Sequence, residues 1–401
     1  MTKVSNDSDK NPIKEKKEHK NWTEVHSSFE EMDLDDNILR GIYSFGFERP
    51  SGIQQRSIVP IIKCHDIVAQ AQSGTGKTGA FSIGVLQRIN PNLNAVQCLI
   101  LAPTRELVQQ IHCVISSISK YMNINVNCFI GGTQVNEDIK VLNEGTHLAI
   151  GTPGRVYDLM ERDHFNTSHM KAFVIDEADQ MLATDFKGQI HRIFTKIPED
   201  TQVCLFSATL PPDVMEITHH FMKDAYQILV KAKELTLEGI KQFYVDVDRE
   251  DWKFDTLCDI YQNISITQAI IYVNSQKKCD YIHDKLISNH FAVSRIHGKM
   301  SQQERNSIMI DFRSGSTRIL LTTDLLARGI DIQQVSLVIN YDIPIDKESY
   351  LHRIGRTGRF GRKGVAINLV TKDDYGKMKE LEKYYETILL ELPSDLSNIF
   401  S

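Results

Sequence analysis

Ala71-Gln72-Ser73-Gly74-Thr75-Gly76-Lys77-Thr78 follows the apolar run Ile67 to Ala71 and precedes a helical stretch. This octet decides the fold. Glycines let a backbone wrap closely around phosphate groups with its N–H groups turned inward. A helix that starts there adds favourable partial charge for an anion. In such a loop Lys77 reaches the β and γ phosphates, and the Thr78 hydroxyl is a ligand for Mg²⁺. The usual pattern begins with glycine, and Ala71 takes that place here.

A second element lies about a hundred residues downstream, where Asp176-Glu177-Ala178-Asp179 follows the apolar run Phe173 to Ile175. A carboxylate at the end of a neighbouring parallel strand faces the phosphate loop. Asp176 is the candidate to hold Mg²⁺ through water, since that ion keeps much of its hydration. Glu177 is the candidate to position or deprotonate an attacking water.

Outward from these two sites, short apolar runs alternate with longer amphipathic stretches. The first half has Cys98 to Ala102, Val126 to Ile130, Leu148 to Gly151, Val203 to Ser207 and Ile228 to Val230. The second half has Phe243 to Val247, Ala269 to Val273, Val293 to Ile296, Ile319 to Thr323, Leu337 to Asn340 and Val365 to Val370. Runs of this kind fit parallel strands covered on both faces, with crossover helices between them. The expected organisation is a flexible tail at 1–28, a first domain at 29–231, a linker at 232–241 and a second domain at 242–401. Ligands of such sheets bind beyond the carboxyl ends of the strands.

The second half lacks a phosphate loop and carries His352-Arg353-Ile354-Gly355-Arg356-Thr357-Gly358-Arg359 instead. If the domains close on each other, Arg356 and Arg359 neutralise charge on a transferring phosphoryl group. Arginines in that role contribute roughly 10³–10⁵ in rate.

The 401 residues and 41% hydrophobic content suit two domains with separate cores. The net charge of −6 excludes retention on nucleic acid by bulk charge, so any such binding belongs to a local groove. Seven cysteines without a Cys-x-x-Cys pair read as reduced, mostly buried thiols of an intracellular protein. No apolar run at the N-terminus suggests a secretory signal, and no run approaches the ~18 residues of a membrane span.

The D-E-A-D tetrad, together with these motifs, resembles the DEAD-box RNA helicases over essentially everything from Phe29 onward. The resemblance implies an α/β fold of two tandem RecA-like domains, each a parallel sheet flanked by helices. It implies an RNA-dependent ATPase using ATP and Mg²⁺. Ser73, Gly74, Thr75, Gly76, Lys77 and Thr78 then form the nucleotide loop. Phe47-Glu48-Arg49-Pro50-Ser51-Gly52-Ile53-Gln54 resembles the family's adenine motif, with Gln54 on the base edge, Phe47 on the ring and Phe29 the isolated upstream aromatic. Asp331 resembles the family's ribose contact. Ser207, Thr209 and His352 resemble residues that couple hydrolysis to strand separation.

Family RNA contacts fall on Pro103, Thr104, Arg105, Gly131, Gly132, Thr152, Gly154 and Arg155 in the first half. In the second they fall on Asn274, Arg305, Thr323 and Arg328. Phosphate and sugar contacts carry no direct sequence information, so sequence-tolerant binding of single-stranded or duplex RNA follows. Within the family, Glu234 to Tyr244 and Glu391-Leu392-Pro393-Ser394-Asp395 resemble the translation initiation factor 4A group. That implies a cytoplasmic monomer working with a scaffold protein of the initiation complex. The sister group implies a nuclear, ATP-locked RNA clamp. Gln180, Asp185, Lys299 and the Tyr272-Val273-Asn274-Ser275 segment depart from the group's usual residues.

Overall fold

The computed structural model describes residues 20–71, 74–183, 186–229, 240–264, 268–324, 335–357 and 364–394, together with 396 and 399. It holds two parallel sheets, one in each half of the chain. The first contains β1 (Lys20–Asn21), β2 (Ile67–Gln70), β3 (Cys98–Leu101), β4 (Val126–Phe129), β5 (Leu148–Gly151), β6 (Ala172–Ile175), β7 (Gln202–Ser207) and β8 (Tyr226–Leu229). Their spatial order is β1-β8-β2-β7-β6-β3-β5-β4. The second contains β9 (Ile240–Asp246), β10 (Gln268–Tyr272), β11 (Val293–Ile296), β12 (Ile319–Thr322), β13 (Val335–Asn340), β14 (Gly364–Val370) and β15 (Leu390–Glu391). Here the order is β11-β12-β10-β13-β14-β9-β15.

Each central strand feeds two cores, as the two-residue period of a strand requires. Ile67 and Ala69 of β2 join one apolar cluster while Val68 joins the other. Cys98 and Ile100 of β3 are likewise separated from Leu99 and Leu101. In the second sheet Ala269 and Ile271 face one core, and Ile270 and Tyr272 the opposite one. Helices cover both faces, which is why these strands read as unbroken apolar runs.

Every apolar run named from the sequence coincides with a strand. Two boundaries need correction. Residues Lys20 and Asn21, expected in the tail, pair with Tyr226 and Gln227 of β8. Trp22 then packs edge-on against Tyr226, with ring centroids 5.1 Å apart. The large ring supplies the apolar contact that a polar tail was expected to lack. Ile240 and Lys241, expected in the linker, pair with Gly364 and Val365 of β14. The rest of the tail before Lys20 and the linker up to residue 239 lie outside the described residues.

Candidate active site and nucleic-acid interface

The phosphate loop leaves the end of β2 and enters the helix Lys77–Leu86. Gly74 and Gly76 take φ of 83° and 99°, the left-handed region that glycine enters without a Cβ clash. Ser73 lies outside the described residues; Thr75 and Thr78 are half-buried. Lys77 is 5% exposed, and its Nζ stands 3.8 Å from Glu177 Oε1. That Nζ has no hydrogen-bond partner among the described residues. A buried ammonium with donors to spare is costly unless an anion meets it. This corner therefore fits the phosphates of a nucleotide.

Beside the loop, Gln54 is held by two backbone contacts. The Ser51 N–H donates to its Oε1 at 2.8 Å, and its Nε2 donates to the Gly76 carbonyl at 3.2 Å. A Cβ at Gly79 would come within 2.6 Å of Gln54 Nε2 and 2.8 Å of Phe47 Cε2. The helix is thus pressed against the two residues expected to receive adenine. Phe29 is wholly buried in the core and stands edge-on to Tyr43 at 6.4 Å.

The acidic tetrad follows β6. Asp176 is 3% exposed, and its carboxyl is pushed up to about 7, first by burial and next by the charge of Glu177, with Lys77 acting the opposite way. A carboxyl destabilised in its charged form by a dry, acidic setting suits a hydrated divalent cation. The oxygen chemistry of this carboxyl and of the Thr78 hydroxyl fits Mg²⁺. Glu177 sits at φ 51°, and its N–H donates to Asp176 Oδ1 at 2.9 Å. A left-handed backbone at a non-glycine residue costs roughly 1–2 kcal/mol, and it turns the Glu177 carboxylate toward Lys77.

The second domain completes this cluster. The helix Lys347–Ile354 starts at Asp346, whose Oδ1 accepts the Ser349 N–H at 2.7 Å. Near its end His352 is wholly buried. His352 Nε2 lies 3.0 Å from Asp179 Oδ2, and Nδ1 lies 3.8 Å from Glu177 Oε2. Asp179 Oδ2 also accepts the Thr209 hydroxyl at 2.8 Å, and the Asp179 N–H donates to Ser207 Oγ at 3.2 Å. Ser207, Thr209, Asp179 and His352 therefore form one hydrogen-bonded chain across the two domains. Arg356 is 2% exposed, and its Nε donates to the His352 carbonyl at 3.1 Å. Arg359 and Asp331 lie outside the described residues.

Residues 51–217 match the DEAD/DEAH box helicase family, and residues 252–361 match the helicase conserved C-terminal domain. The chain is 57% identical to the ATP-dependent RNA helicase eIF4A of Mycosarcoma maydis over 94% of its length and 92% of that protein.

The chain belongs to the DEAD-box helicase family. S. cerevisiae Dbp5 bound to RNA and ADP BeF3 superposes with a TM-score of 0.86 at 38% identity, covering 93% of this chain and 98% of that one. A point variant of the same yeast protein, bound to nup159, a gle1 variant, IP6 and ADP, reaches 0.62 at 36% identity, with 92% and 97% covered. In this chain the two domains meet directly, His352 against Asp179 and Arg305 against Glu106.

A cleft of about 460 Å³ lies between the domains and is lined by several residues expected to meet RNA. Pro103, Thr104, Arg105, Gly131, Thr152 and Arg155 contribute to the wall from one side, Gly298 and Arg305 from the other. Thr104 caps the helix Arg105–Ile118 by accepting the Leu107 N–H at 3.3 Å. Gly132, at φ 88°, lets Arg105 lie against the loop, where a Cβ would meet Arg105 Nη1 at 2.6 Å.

Several expected contact residues are engaged inside the protein. Arg155 pairs with Asp138 and donates to the Thr133 carbonyl at 2.8 Å. Arg305 Nη1 meets Glu106 Oε1 at 3.2 Å, with both side chains only 6% exposed. Arg105 Nη1 donates to Gln302 Oε1 at 3.3 Å. Asn274 donates from Nδ2 to the Ile343 carbonyl at 2.8 Å, and its Oδ1 accepts from Arg353 at 2.7 Å. Thr323 is half-buried at the end of β12, and Gly154 lies at the start of the helix Pro153–Glu161. Arg328 lies outside the described residues.

Glu106, Asp138 and Asp179 escaped the sequence reading. Glu106 answers Arg305 and Asp138 answers Arg155, partners too far along the chain to leave a periodic signal. Asp179 stands inside the tetrad, and only the approach of His352 reveals its use.

Proposed function

We propose that this protein is an ATP-dependent RNA helicase that hydrolyses ATP when RNA closes its two domains, and that it loosens RNA structure during cap-dependent translation initiation. The observation that carries this reading is the contact of His352 with both Glu177 and Asp179. A residue of one domain is buried against the acidic tetrad of the other, so the hydrolytic site is whole only in the closed form.

In this reading Lys77 and the loop from Ser73 to Thr78 receive the phosphates, and Thr78 and Asp176 hold hydrated Mg²⁺. The bound ion neutralises phosphate charge. Glu177 positions the attacking water, Arg356 and Arg359 answer charge on the transferring group, and Asp331 meets the ribose. Pro103, Thr104, Arg105, Gly131, Gly132, Thr152, Gly154, Arg155, Asn274, Arg305, Thr323 and Arg328 line the path of the RNA backbone. Those whose side chains are engaged internally set the wall's shape or release their donors as RNA enters. Likeness to the fungal eIF4A sequences supports a cytoplasmic monomer stimulated by a scaffold protein. Among the described residues no helix is long and apolar enough to cross a membrane.

The test is steady-state ATP hydrolysis with and without single-stranded RNA, repeated on Lys77→Ala and Glu177→Gln. RNA should stimulate the wild type strongly and neither variant. Loss of a positioned acid–base group costs about 10²–10⁴ in rate, so Glu177→Gln should keep ATP affinity, lose turnover and hold RNA longer. Normal turnover in Glu177→Gln removes that residue from its role. Absence of RNA stimulation in the wild type counts against closure as the trigger.

A further inference from the structure

Lys299 sits on a tight turn directly after Gly298, a residue of the interdomain cleft wall. β11 ends at Ile296, and the next helix is Gln302–Ser314. Between them the Met300 N–H donates to the His297 carbonyl at 3.2 Å, which places Gly298 and Lys299 at the corner. Gly298 forms part of the cleft wall with Thr104, Arg105, Gly131 and Arg305. Lys299 is exposed, and among the described residues its ammonium makes no hydrogen bond or ion pair.

The cations deeper in the cleft are in a different condition. Arg155 is paired with Asp138, and Arg305 with Glu106. Arg105 hydrogen-bonds neutral Gln302. Burial, and then the neighbouring charge of Arg305, hold its guanidinium below the ordinary arginine range. Glu106 and Asp158 also face the cleft. Two of the three wall arginines are thus paired with carboxylates, and Arg105 is the one that meets a neutral partner. With a chain charge of −6, no long-range field draws a polyanion toward it.

We infer that Lys299 is an RNA-phosphate contact at the rim of this cleft and adds an exposed, unpaired charge that the paired Arg155 and Arg305 do not offer. The inference rests on reading the cleft as the RNA path. A lysine ammonium is a compact charge on a flexible stem. It follows a phosphate without demanding a geometry, so the contact is blind to sequence. Neutralising one phosphate of a single strand changes the slope of log K against log salt by about 0.7.

The experiment measures binding of a fluorescein-labelled oligouridylate to the full chain by anisotropy, with a non-hydrolysable ATP analogue, across a salt series. The proteins are wild type, K299A, K299E, K299R and R105A, each checked for an unchanged melting temperature. K299A should bind several-fold more weakly at low salt with a slope shallower by about 0.7. K299E should bind more weakly still, and K299R should retain the wild-type slope. If K299A and K299E keep the wild-type slope while R105A loses affinity, the cleft stands and Lys299 is not a contact. A wild-type slope with weaker binding in K299A also overturns the inference, since the loss would then be structural. If neither R105A nor the Lys299 variants change binding, the RNA path lies elsewhere and the inference falls with it.

Discussion

At the scale of single residues, the site depends on groups whose surroundings set their chemistry. Gly79 shows how little room there is. Alanine gains about 1 kcal/mol over glycine in a helix, yet a Cβ here meets Gln54 and Phe47 inside van der Waals contact. Gly79→Ala should therefore keep its melting temperature within a few degrees and lose about tenfold in ATP affinity. Titration with a fluorescent ATP analogue checks this, with GTP as comparison; unchanged affinity would detach Gln54 and Phe47 from the base. The cysteines give a second prediction. Burial pushes Cys98, Cys128 and Cys279 up to about 12, whereas Cys64 and Cys113 are exposed. A raised thiol stays protonated and unreactive at pH 8. Mass spectrometry after brief iodoacetamide treatment should find Cys64 and Cys113 modified, and Cys98 and Cys279 modified only after unfolding. Early labelling of Cys98 would mean the first core opens readily.

Among elements, packing overrides propensity at the crossing of the helices Asp36–Phe45 and Arg105–Ile118. A Cβ on Gly41 would lie 1.8 Å from the Ile118 carbonyl oxygen. The obstacle is backbone and cannot rotate away. Gly41→Ala should lower stability by about 1–3 kcal/mol, despite alanine's better helix propensity, and urea unfolding should show the midpoint fall. A higher midpoint would mean the helices separate at little cost. The second of these helices begins at Arg105, so its seating also sets one wall of the cleft. Strands were the most legible elements, because a parallel strand covered on both faces is apolar along most of its central length. The exceptions, β1 and β15, are two residues long and leave no run to read.

Across the whole molecule, closure is held by a few polar contacts. The Arg305–Glu106 pair is buried between domains, and removing one partner of such a pair costs about 3–5 kcal/mol. Opening the cleft returns the orphaned charge to water, so the closed population bears that cost. Glu106→Ala should reduce RNA-stimulated hydrolysis at least about tenfold and leave ATP affinity without RNA near wild type. Equal stimulation in both proteins would show that this pair does not hold the closed form. The His352–Asp179 contact differs, because it joins a helix of the second domain to the acidic tetrad and, through Asp179, to the Thr209 hydroxyl.

The sequence by itself determined the class of fold, the phosphate loop, the acidic tetrad and the arginine-bearing segment. Those features are local: glycines at a turn, an apolar run, carboxylates at its end. Their partners are not local. Nothing in the chain order says that β7 lies between β2 and β6, the placement that brings Ser207 and Thr209 beside Asp179. Nothing in the spacing of Arg155 shows that Asp138 takes its charge, or that Asn274 serves Arg353. Only tertiary structure decided these, because hydrogen bonds and ion pairs depend on distances of a few ångströms between residues that the chain holds far apart.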